Sequence, residues 1–280
     1  MIKIRKWFSK IISLLLIIFI SIAIIIHVNI SKASEASKFA SEEEAIITIY
    51  LAGDSTVSHY GITLAPRKGW GQEIAQLFNE NIIIKNHAVP KRSSKSFIHE
   101  GRLTDLLKNI KKGDYLFIQF GHNDEKEEDP TRYTLPDTTY KSYLKQYING
   151  ARSKGAIPVL ITPVERRRFS PDGHALYSHG KYPLAMKELA KEENVPLIDL
   201  TEKSKAMYDR LGPKKTKKVF MWLDAGMNPN YPMGITDNTH FQEYGAQLIA
   251  YLVVEGIYEV DLPLKHNIDQ DIIIKLNSKK

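Results

Sequence analysis

The sequence predicts an α/β fold, a single three-layer α/β/α domain with a central parallel sheet between two layers of helices. Short apolar runs alternate along the chain with longer segments of helical period. This alternation is typical of parallel sheets that are covered on both faces. No linker or repeat divides the chain after residue 45, and 280 residues are enough for one large core.

The apolar runs are assigned to strands and the periodic segments to helices, in chain order. The predicted strands are residues 46–52, 81–89, 115–120, 157–162 and 196–200. The predicted helices are residues 70–78, 101–110, 140–153, 183–193, 201–211 and 241–257. Residues 125–139 and the tail after Asp261 show no clear period. Ligands of such sheets bind at the carboxyl ends of the strands, so residues that follow strands are the candidates for function.

The N-terminal segment has the pattern of an export signal. Basic residues precede an apolar run over residues 11–26, which only Ser13 and Ser21 interrupt, and small residues follow it. The same run can instead remain as a membrane anchor. In either case the basic flank stays inside and the domain lies outside the cytoplasm, secreted or anchored on the outer face of the cell membrane.

These patterns predict the domain organisation. We expect a signal peptide or N-terminal membrane anchor over residues 1–36 and a polar spacer over residues 37–45. The folded domain would then span residues 46–260, with a C-terminal extension over residues 261–280.

Charge and cysteine content exclude several classes of function. The chain has no cysteine, which excludes disulfides, thiolate catalysis and Cys-ligated zinc. The formal net charge is +7, but residues 1–36 hold five of the 39 basic residues and one of the 32 acidic residues. The remainder carries a net charge of +3, which gives no reason to expect nucleic acid as a partner. We expect a monomer.

Two distant motifs contain the residue types of a nucleophilic hydrolase. Ser55 follows the first predicted strand directly, where its hydroxyl can be exposed. Asp237 and His240 are three residues apart, so that one short turn can present both. Together they supply a nucleophile, a base and an orienting carboxylate in the chain order Ser, Asp, His. The serine is not in a Gly-x-Ser-x-Gly elbow, because residue 57 is Val.

Other residues near strand ends can complete such a site. Acyl transfer needs hydrogen-bond donors for the developing oxyanion, and Asn123 offers a side-chain amide. The backbone N–H groups of Ser55 and of the turn at Lys91 are further candidates. Arg166 and Arg167 follow a strand and suit sugar carboxylates, and Trp222 can stack on a sugar ring. The arginines fit equally well in a merely solvated run.

The motifs together resemble those of the SGNH (GDSL-like) hydrolases, and more closely the rhamnogalacturonan acetylesterase branch. The resemblance covers roughly residues 46–258 and includes several blocks in the family's order. The blocks are Gly53-Asp54-Ser55-Thr56-Val57, Arg92-Ser93-Ser94-Lys95-Ser96-Phe97, Glu100-Gly101-Arg102, Gly121-His122-Asn123-Asp124, Thr162-Pro163-Val164 and Asp237-Asn238-Thr239-His240-Phe241.

The resemblance implies an SGNH-hydrolase, flavodoxin-like fold and a serine esterase that removes acetyl groups from an acetylated polysaccharide. Ser55 would be the nucleophile, His240 the base and Asp237 its orienting partner. The oxyanion hole would consist of the Ser55 N–H, the Lys91 N–H and the Asn123 amide. No cofactor or metal would be required.

One position departs from the family's pattern. The family usually has glycine where this chain has Lys91. A backbone with positive φ would suit glycine and disfavour lysine.

Other interpretations of the residues stay open at this point. Ser55 can act as a simple helix N-cap. The chain can be a carbohydrate-binding protein without activity, a deacetylase of xylan or another cell-wall glycan, or a glycosidase that uses Asp54 and Asp124. A metal site of His122, Asp124 and His179 is disfavoured because their spacing is not that of metal ligands.

Overall fold

The computed structural model describes residues 46–277, together with Ile26, His27 and Asn29. By its internal contacts the chain separates into two compact units, residues 1–45 and 46–280. The predicted export segment therefore lies almost entirely outside the described residues. Among the residues that the structure describes, no helix has the length and apolar character needed to span a membrane.

The larger unit contains a five-stranded parallel sheet, which confirms the predicted fold class. Its spatial order is β3-β1-β4-β5-β6, and every neighbouring pair is parallel. The strands are β1 (Ile47–Gly53), β3 (Ile82–Asn86), β4 (Tyr115–Gln119), β5 (Ile157–Ile161) and β6 (Leu197–Ile198). The remaining described strands are β2 (Arg67–Lys68), β7 (Phe220–Leu223) and β8 (Ile235–Gln242).

The central strands are apolar on both faces because helices cover both. In β1, Ile49 and Leu51 belong to one buried cluster, whereas Tyr50 and Ala52 belong to a second cluster on the other face. All five residues of β4 are buried. This burial explains why these segments read as continuous apolar runs and not as alternating ones.

The helices divide between the two faces. They are α1 (Trp70–Glu73), α2 (Ser94–His99), α3 (Arg102–Leu107), α4 (Lys141–Ser153), α5 (Tyr182–Glu192), α6 (Leu200–Lys215), α7 (Glu243–Glu259) and α8 (Gln270–Asn277). Buried residues of α1, α6 and α7 join the cluster that contains Ile49. Those of α2, α3, α4 and α5 join the cluster that contains Tyr50. Helix α6 is bent at Gly212, where φ is 70° and ψ is 174°.

A second, three-stranded antiparallel sheet was not predicted from the sequence. Its order is β2-β8-β7. Strand β8 has the sequence Ile-Thr-Asp-Asn-Thr-His-Phe-Gln, which contains little of the apolar alternation that predicts a strand. Pairing with β7 and β2 therefore determines its conformation.

Two regions without a predicted period are ordered parts of the unit. Residues Pro136–Tyr140 form one π-helical turn, and the buried Tyr140 hydroxyl donates to the carbonyl of Phe120 at 2.9 Å. After Asp261, the chain forms a short 3-10 helix and then α8. Leu264 and Ile268 from this region are buried in the main core, at 0% and 1% exposure.

Candidate active site

The candidate nucleophile lies in a tight turn at the carboxyl end of β1. The Asp54 Oδ1 accepts hydrogen bonds from the N–H and the hydroxyl of Thr56, at 2.9 and 2.8 Å. A Cβ atom on Gly53 would lie 2.6 Å from Cγ2 of Val57, so the turn closes only with glycine there. The turn places Ser55 at the rim of the sheet with 8% exposure.

The candidate base and its carboxylate lie on a bulge of β8, a strand that the sequence did not predict, just before helix α7. Phe220 of β7 pairs with Phe241 of β8, and the adjacent Met221 pairs with Asp237. Residues 238–240 thus have no partners on β7 and bulge from the strand. Bulges of this kind redirect side chains, and here the bulge turns His240 toward the larger sheet.

Ser55, His240 and Asp237 form a continuous hydrogen-bonded relay. The Ser55 Oγ lies 3.0 Å from Nε2 of His240, and Nδ1 of His240 lies 2.7 Å from Oδ2 of Asp237. The other carboxylate oxygen accepts the N–H groups of Thr239 and His240, at 2.8 and 3.0 Å. With the carboxylate receiving the Nδ1 proton, Nε2 is the free acceptor that faces the serine hydroxyl.

The relay keeps its carboxylate ionised. Partial burial acts to raise the pKa of Asp237, but hydrogen bonding and charge interaction with His240 outweigh burial and lower this pKa to about 2. The carboxylate is therefore negative throughout the neutral range and can stabilise a protonated His240.

Arg67 and Tyr60 support the relay, and Arg67 gave no signal in the sequence. Nη2 of Arg67, on β2, lies 3.6 Å from Oδ2 of Asp237, and the Nε of Arg67 is buried with no hydrogen-bond partner among the described residues. The Arg67 guanidinium lies 5.8 Å from the ring centroid of Tyr60, whose hydroxyl donates to the carbonyl of Ser55 at 2.8 Å. Arg67 belongs to a two-residue strand, which no periodicity can reveal.

Asn123 follows β4, the neighbour of β1 in the sheet, and its amide is held in place at both ends. The Nδ2 donates to the carbonyl of Arg92 at 3.0 Å, and Oδ1 accepts from Arg132 at 3.3 Å. The amide has a second N–H, which these two bonds leave available. The side chain is oriented before any ligand binds, as an oxyanion donor must be.

Lys91 has the backbone conformation expected of a glycine position. Its φ is 69°, and the residue is exposed. Neither the Lys91 N–H nor the Ser55 N–H donates to a backbone carbonyl of residues 46–277. Lysine thus adopts here the positive φ that glycine favours. The oxyanion roles of Lys91, Ser55 and Asn123 stay predictions.

A second histidine–aspartate pair is buried directly behind the nucleophile. Nδ1 of His122 lies 3.3 Å from Oδ2 of Asp54, but the geometry does not form a hydrogen bond. The two side chains are at most 4% exposed. Burial is the main cause that lowers the pKa of His122 to about 4, against the opposing charge of Asp54. His122 is thus neutral and inaccessible near neutral pH.

Arg166 extends this buried cluster and does not reach outward in the structure. Its guanidinium forms an ion pair with Glu125 and donates to the carbonyl of Ser178 at 3.2 Å. Glu125 also lies 3.1 Å from Nδ1 of His179, whose ring packs on His122 with centroids 4.4 Å apart. The substrate-binding role predicted for Arg166 stays a prediction, although its side chain already has internal partners.

Arg167 and Trp222 lie against the bulge that carries His240. The Trp222 Nε1 donates to Oδ1 of Asn238 at 2.9 Å, and Arg167 donates to the same oxygen at 3.3 Å. The Arg167 guanidinium lies 4.5 Å from the Trp222 ring centroid. The structure thus brings both residues beside the relay. Their contact with substrate stays a prediction.

Across the described residues, no group of three or more His, Cys, Asp or Glu side chains has an arrangement that could hold a metal ion. His122, Asp124 and His179, the set considered from the sequence, do not form such a group. Asp124 instead accepts hydrogen bonds from the Ser94 hydroxyl and N–H, at 2.5 and 3.1 Å.

The sequence matches the profile of the GDSL-like lipase/acylhydrolase family over residues 51–248. This range includes Ser55, Asn123, Asp237 and His240.

Two similar proteins are from Bacillus subtilis (strain 168). Rhamnogalacturonan acetylesterase RhgT is 49% identical over 222 residues, which cover 79% of this chain and 94% of the relative. The probable rhamnogalacturonan acetylesterase YesY is 49% identical over 220 residues, which cover 79% of this chain and 96% of the relative. A similar solved structure is that of the Bacillus subtilis protein YxiM, with a TM-score of 0.65 and 29% identity. That match covers 78% of this chain and 57% of the YxiM chain.

Proposed function

The chain belongs to the GDSL-like lipase/acylhydrolase family, and on this basis we propose that it is a serine esterase that removes O-acetyl groups from pectic rhamnogalacturonan. The observation that carries the proposal is the hydrogen-bonded relay from Ser55 through His240 to Asp237. Its order and distances are those that general-base activation of a serine requires.

In the first half of the reaction the acetyl group moves to the enzyme. His240 Nε2 accepts the proton of the Ser55 hydroxyl while Oγ forms a bond to the acetyl carbonyl carbon. Asp237 remains ionised and stabilises the protonated imidazole. The bond between this carbon and the sugar oxygen then breaks, and the sugar oxygen takes the proton from Nε2. The products are acetyl-Ser55 and a free sugar hydroxyl.

The second half repeats the same proton transfers with water. A water molecule gives a proton to His240 Nε2 as its oxygen bonds to the acetyl carbon. The bond to Oγ breaks, Oγ regains the proton from Nε2, and acetic acid leaves. The two halves together consume one water molecule per acetyl group.

The oxyanion formed in each half is assigned to three donors. They are the N–H groups of Ser55 and Lys91 and the second amide proton of Asn123. Support for this assignment comes from the hydrogen bonds that fix the Asn123 amide and from the positive φ of Lys91, which preserves the turn. Each such donor typically contributes about 10²-fold to the rate.

The choice of polysaccharide rests on the relatives. RhgT, 49% identical over most of both chains, is a rhamnogalacturonan acetylesterase, and YesY is named a probable one. The proposal also includes a location outside the cytoplasm and a monomeric state. The location is supported by the basic residues and the apolar run over residues 11–26 that precede the domain. Cell fractionation of the full chain beside a chain lacking residues 1–36 would test it.

The proposed activity can be tested by measuring acetate released from acetylated rhamnogalacturonan. We expect release by the wild type and none above background by Ser55→Ala. Ser58→Ala is a matched control, because the Ser58 hydroxyl in the same turn donates to the carbonyl of Asp54 and does not contact His240. The control should retain activity within a few-fold.

Acetate release that persists in Ser55→Ala would disprove the mechanism. Release from acetylated xylan in preference to rhamnogalacturonan would leave the mechanism intact and change the substrate. Binding without any release, by a folded wild-type protein, would favour a carbohydrate-binding protein without activity.

A further inference from the structure

Two cations, Arg167 and Lys217, lie beside the bulge on β8, and three further lysines are close to Lys217 in the chain; the proposed reaction uses none of these five. We call the five residues the cationic cluster; its members are Arg167, Lys214, Lys215, Lys217 and Lys218. The Lys217 Nζ lies 4.3 Å from the Trp222 ring centroid, and the Arg167 guanidinium lies 4.5 Å from the same centroid. One aromatic ring therefore fixes two cations close together.

The cluster is attached to the segment that carries the base. Asn238 immediately follows Asp237, and its carbonyl accepts the N–H of Arg167 at 2.8 Å. Its side-chain oxygen accepts from both Trp222 and Arg167. Any ligand held by Arg167 and Lys217 is thereby positioned relative to His240, two residues further along the chain.

The lysines follow the bend in α6 directly along the chain. At Gly212 the positive φ ends the regular helix, and the carbonyl of Pro213 accepts a hydrogen bond from Arg167 at 2.6 Å. Lys214 and Lys215 follow directly, and Lys217 and Lys218 belong to the 3-10 turn that leads into β7. Arg167 thus joins the lysine-rich turn to the bulge on β8.

The charges of the cluster are not neutralised by the protein. All four lysines are exposed, and no cation of the cluster forms an ion pair with a carboxylate of residues 46–277. By contrast, Arg166 and Lys205, close in sequence, are paired with Glu125 and Asp209. Exposed, unpaired like charges that are close in the chain create a positive potential, which a polyanion would neutralise.

We propose that the cationic cluster binds galacturonate carboxylates of the polysaccharide and holds an acetylated sugar in reach of Ser55. This inference rests on the proposed function, because that function supplies a polymer with a carboxylate on each galacturonate residue. The Arg167 guanidinium suits a carboxylate as a fork, while the lysines act as point charges along the polymer. Trp222 contributes by holding the side chains of Arg167 and Lys217 against its ring.

The test compares the double variant Lys217→Glu/Lys218→Glu with the wild type on two substrates. The substrates are acetylated rhamnogalacturonan and the small neutral ester p-nitrophenyl acetate. We expect the ratio of kcat/KM for the polymer to kcat/KM for the small ester to fall about tenfold at low salt, mostly through KM of the polymer. The difference from the wild type should shrink as NaCl rises from about 20 mM to about 500 mM.

A matched control reverses the same number of charges elsewhere. Lys111 and Lys112 are exposed and precede β4, at the end of the sheet opposite to Ser55. The variant Lys111→Glu/Lys112→Glu should leave the ratio unchanged. If Lys217→Glu/Lys218→Glu is unstable, the variant Lys214→Glu/Lys215→Glu tests the other two lysines of the same cationic cluster. An equal fall in the control, or a wild-type polymer KM that does not change with salt, would overturn the proposal.

Direct binding separates this proposal from the proposed activity. Ser55→Ala should bind de-esterified rhamnogalacturonan in calorimetry, and the Lys217/Lys218 substitutions should weaken that binding about tenfold. Such binding without acetate release by the wild type would refute the activity and retain the site. Acetate release together with salt-independent binding would refute the site and retain the activity. Equally tight binding of single-stranded DNA would refute the specificity for uronates.

Discussion

Two histidine–aspartate pairs lie close to Ser55, and they share a composition but differ in contact distance, hydrogen bonding and burial. His240 and Asp237 are 2.7 Å apart on a bulge, and both atoms of the contact are hydrogen-bonded. His122 and Asp54 are 3.3 Å apart in the interior, and their facing atoms lack hydrogen-bond partners. The side chains of the first pair are about one-fifth exposed, and those of the second are at most 4% exposed.

The difference shows what makes a histidine a usable base. His240 can exchange a proton with a substrate because its Nε2 faces the serine hydroxyl at the rim. His122 has no accessible proton acceptor, and burial disfavours its charged form. Yet His122 and Asp54 directly precede Asn123 and Ser55, so the buried pair joins the two loops between which the acetyl group would react. The exposed pair is suited to proton transfer, and the buried pair is suited to holding the two loops of the site in place.

The largest effect should separate the two histidines by activity. His240→Ala should lower kcat by about 10³-fold or more, because the serine loses its general base. His122→Gln should retain far more of the activity, because its ring takes no part in proton transfer. Steady-state acetate release by both variants measures the difference. If His122→Gln were as inactive as His240→Ala, the assignment of roles would be wrong.

The second prediction concerns stability against pH. Because the pKa of His122 is lowered from 6.5 to about 4 on folding, its contribution to stability is complete above pH 6.5 and is lost as the pH falls toward 4. Between pH 6.5 and pH 4, the unfolding free energy of the wild type should therefore fall by up to ~3 kcal/mol more than that of His122→Gln. Urea unfolding at several pH values measures it.

His174 provides the control for this measurement, since its side chain is 75% exposed. His174→Gln should keep the wild-type pH dependence. A His122→Gln curve parallel to that of the wild type would show that His122 is not the buried group that titrates.

The third prediction compares the two carboxylates. Asp237→Asn should lower kcat by several orders of magnitude, up to about 10⁴-fold, since the amide neither orients the required tautomer nor stabilises the imidazolium. Asp54→Asn should act mainly on stability, because Asp54 organises the turn through Thr56 and does not contact His240. Parallel kcat and thermal-unfolding measurements distinguish the two outcomes, and a stability loss confined to Asp237→Asn would contradict them.

The fourth prediction concerns Arg67, which contacts only the exposed pair. Its Nη2 lies 3.6 Å from Oδ2 of Asp237 and helps to hold this carboxylate in place. In Arg67→Met this charged contact is lost, and kcat/KM at neutral pH should fall a few-fold. Arg67→Lys should largely restore kcat/KM. An unchanged kcat/KM in the methionine variant would show that Arg67 acts only in packing.

The smallest effect is expected at Lys91, on the loop next to Arg92, which receives the Asn123 hydrogen bond. Because φ is 69°, Lys91→Gly should relieve strain and raise the unfolding free energy by at most ~1 kcal/mol. Thermal unfolding measures this change. The kcat should change little, because the N–H direction is already that of a glycine turn. A rise in kcat of about tenfold would show that lysine distorts the oxyanion side.

Much of the fold could be predicted from the sequence because buried strands consist of continuous apolar residues. The strands of the parallel sheet, such as Tyr115–Gln119, are apolar on both faces and stand out between glycine-rich boundaries. The second sheet was missed because β8 consists largely of polar residues whose strand conformation comes from pairing with β7. The residues of the relay were nevertheless found, since their chemistry and chain order are specific even where the local structure is not.

The supporting residues around the relay could not be found in this way. Arg67 approaches Asp237 only because β2 pairs with β8, a contact 170 residues apart in the chain. The cationic cluster likewise depends on the bend at Gly212. Long-range pairing and a single glycine conformation carry almost no periodic signal, so only the folded structure reveals their effect.

The division of the site between two sheets has a consequence for how the protein is made. Ser55 and Asn123 belong to the half of the domain that leaves the ribosome first, whereas His240 is on β8, close to the last helices. A growing chain therefore contains an inert serine for most of its synthesis, and the base joins it only after β8 has emerged and paired. A truncated chain that ends before His240 has no general base and therefore no esterase activity. Esterase activity thus also shows that translation has passed His240.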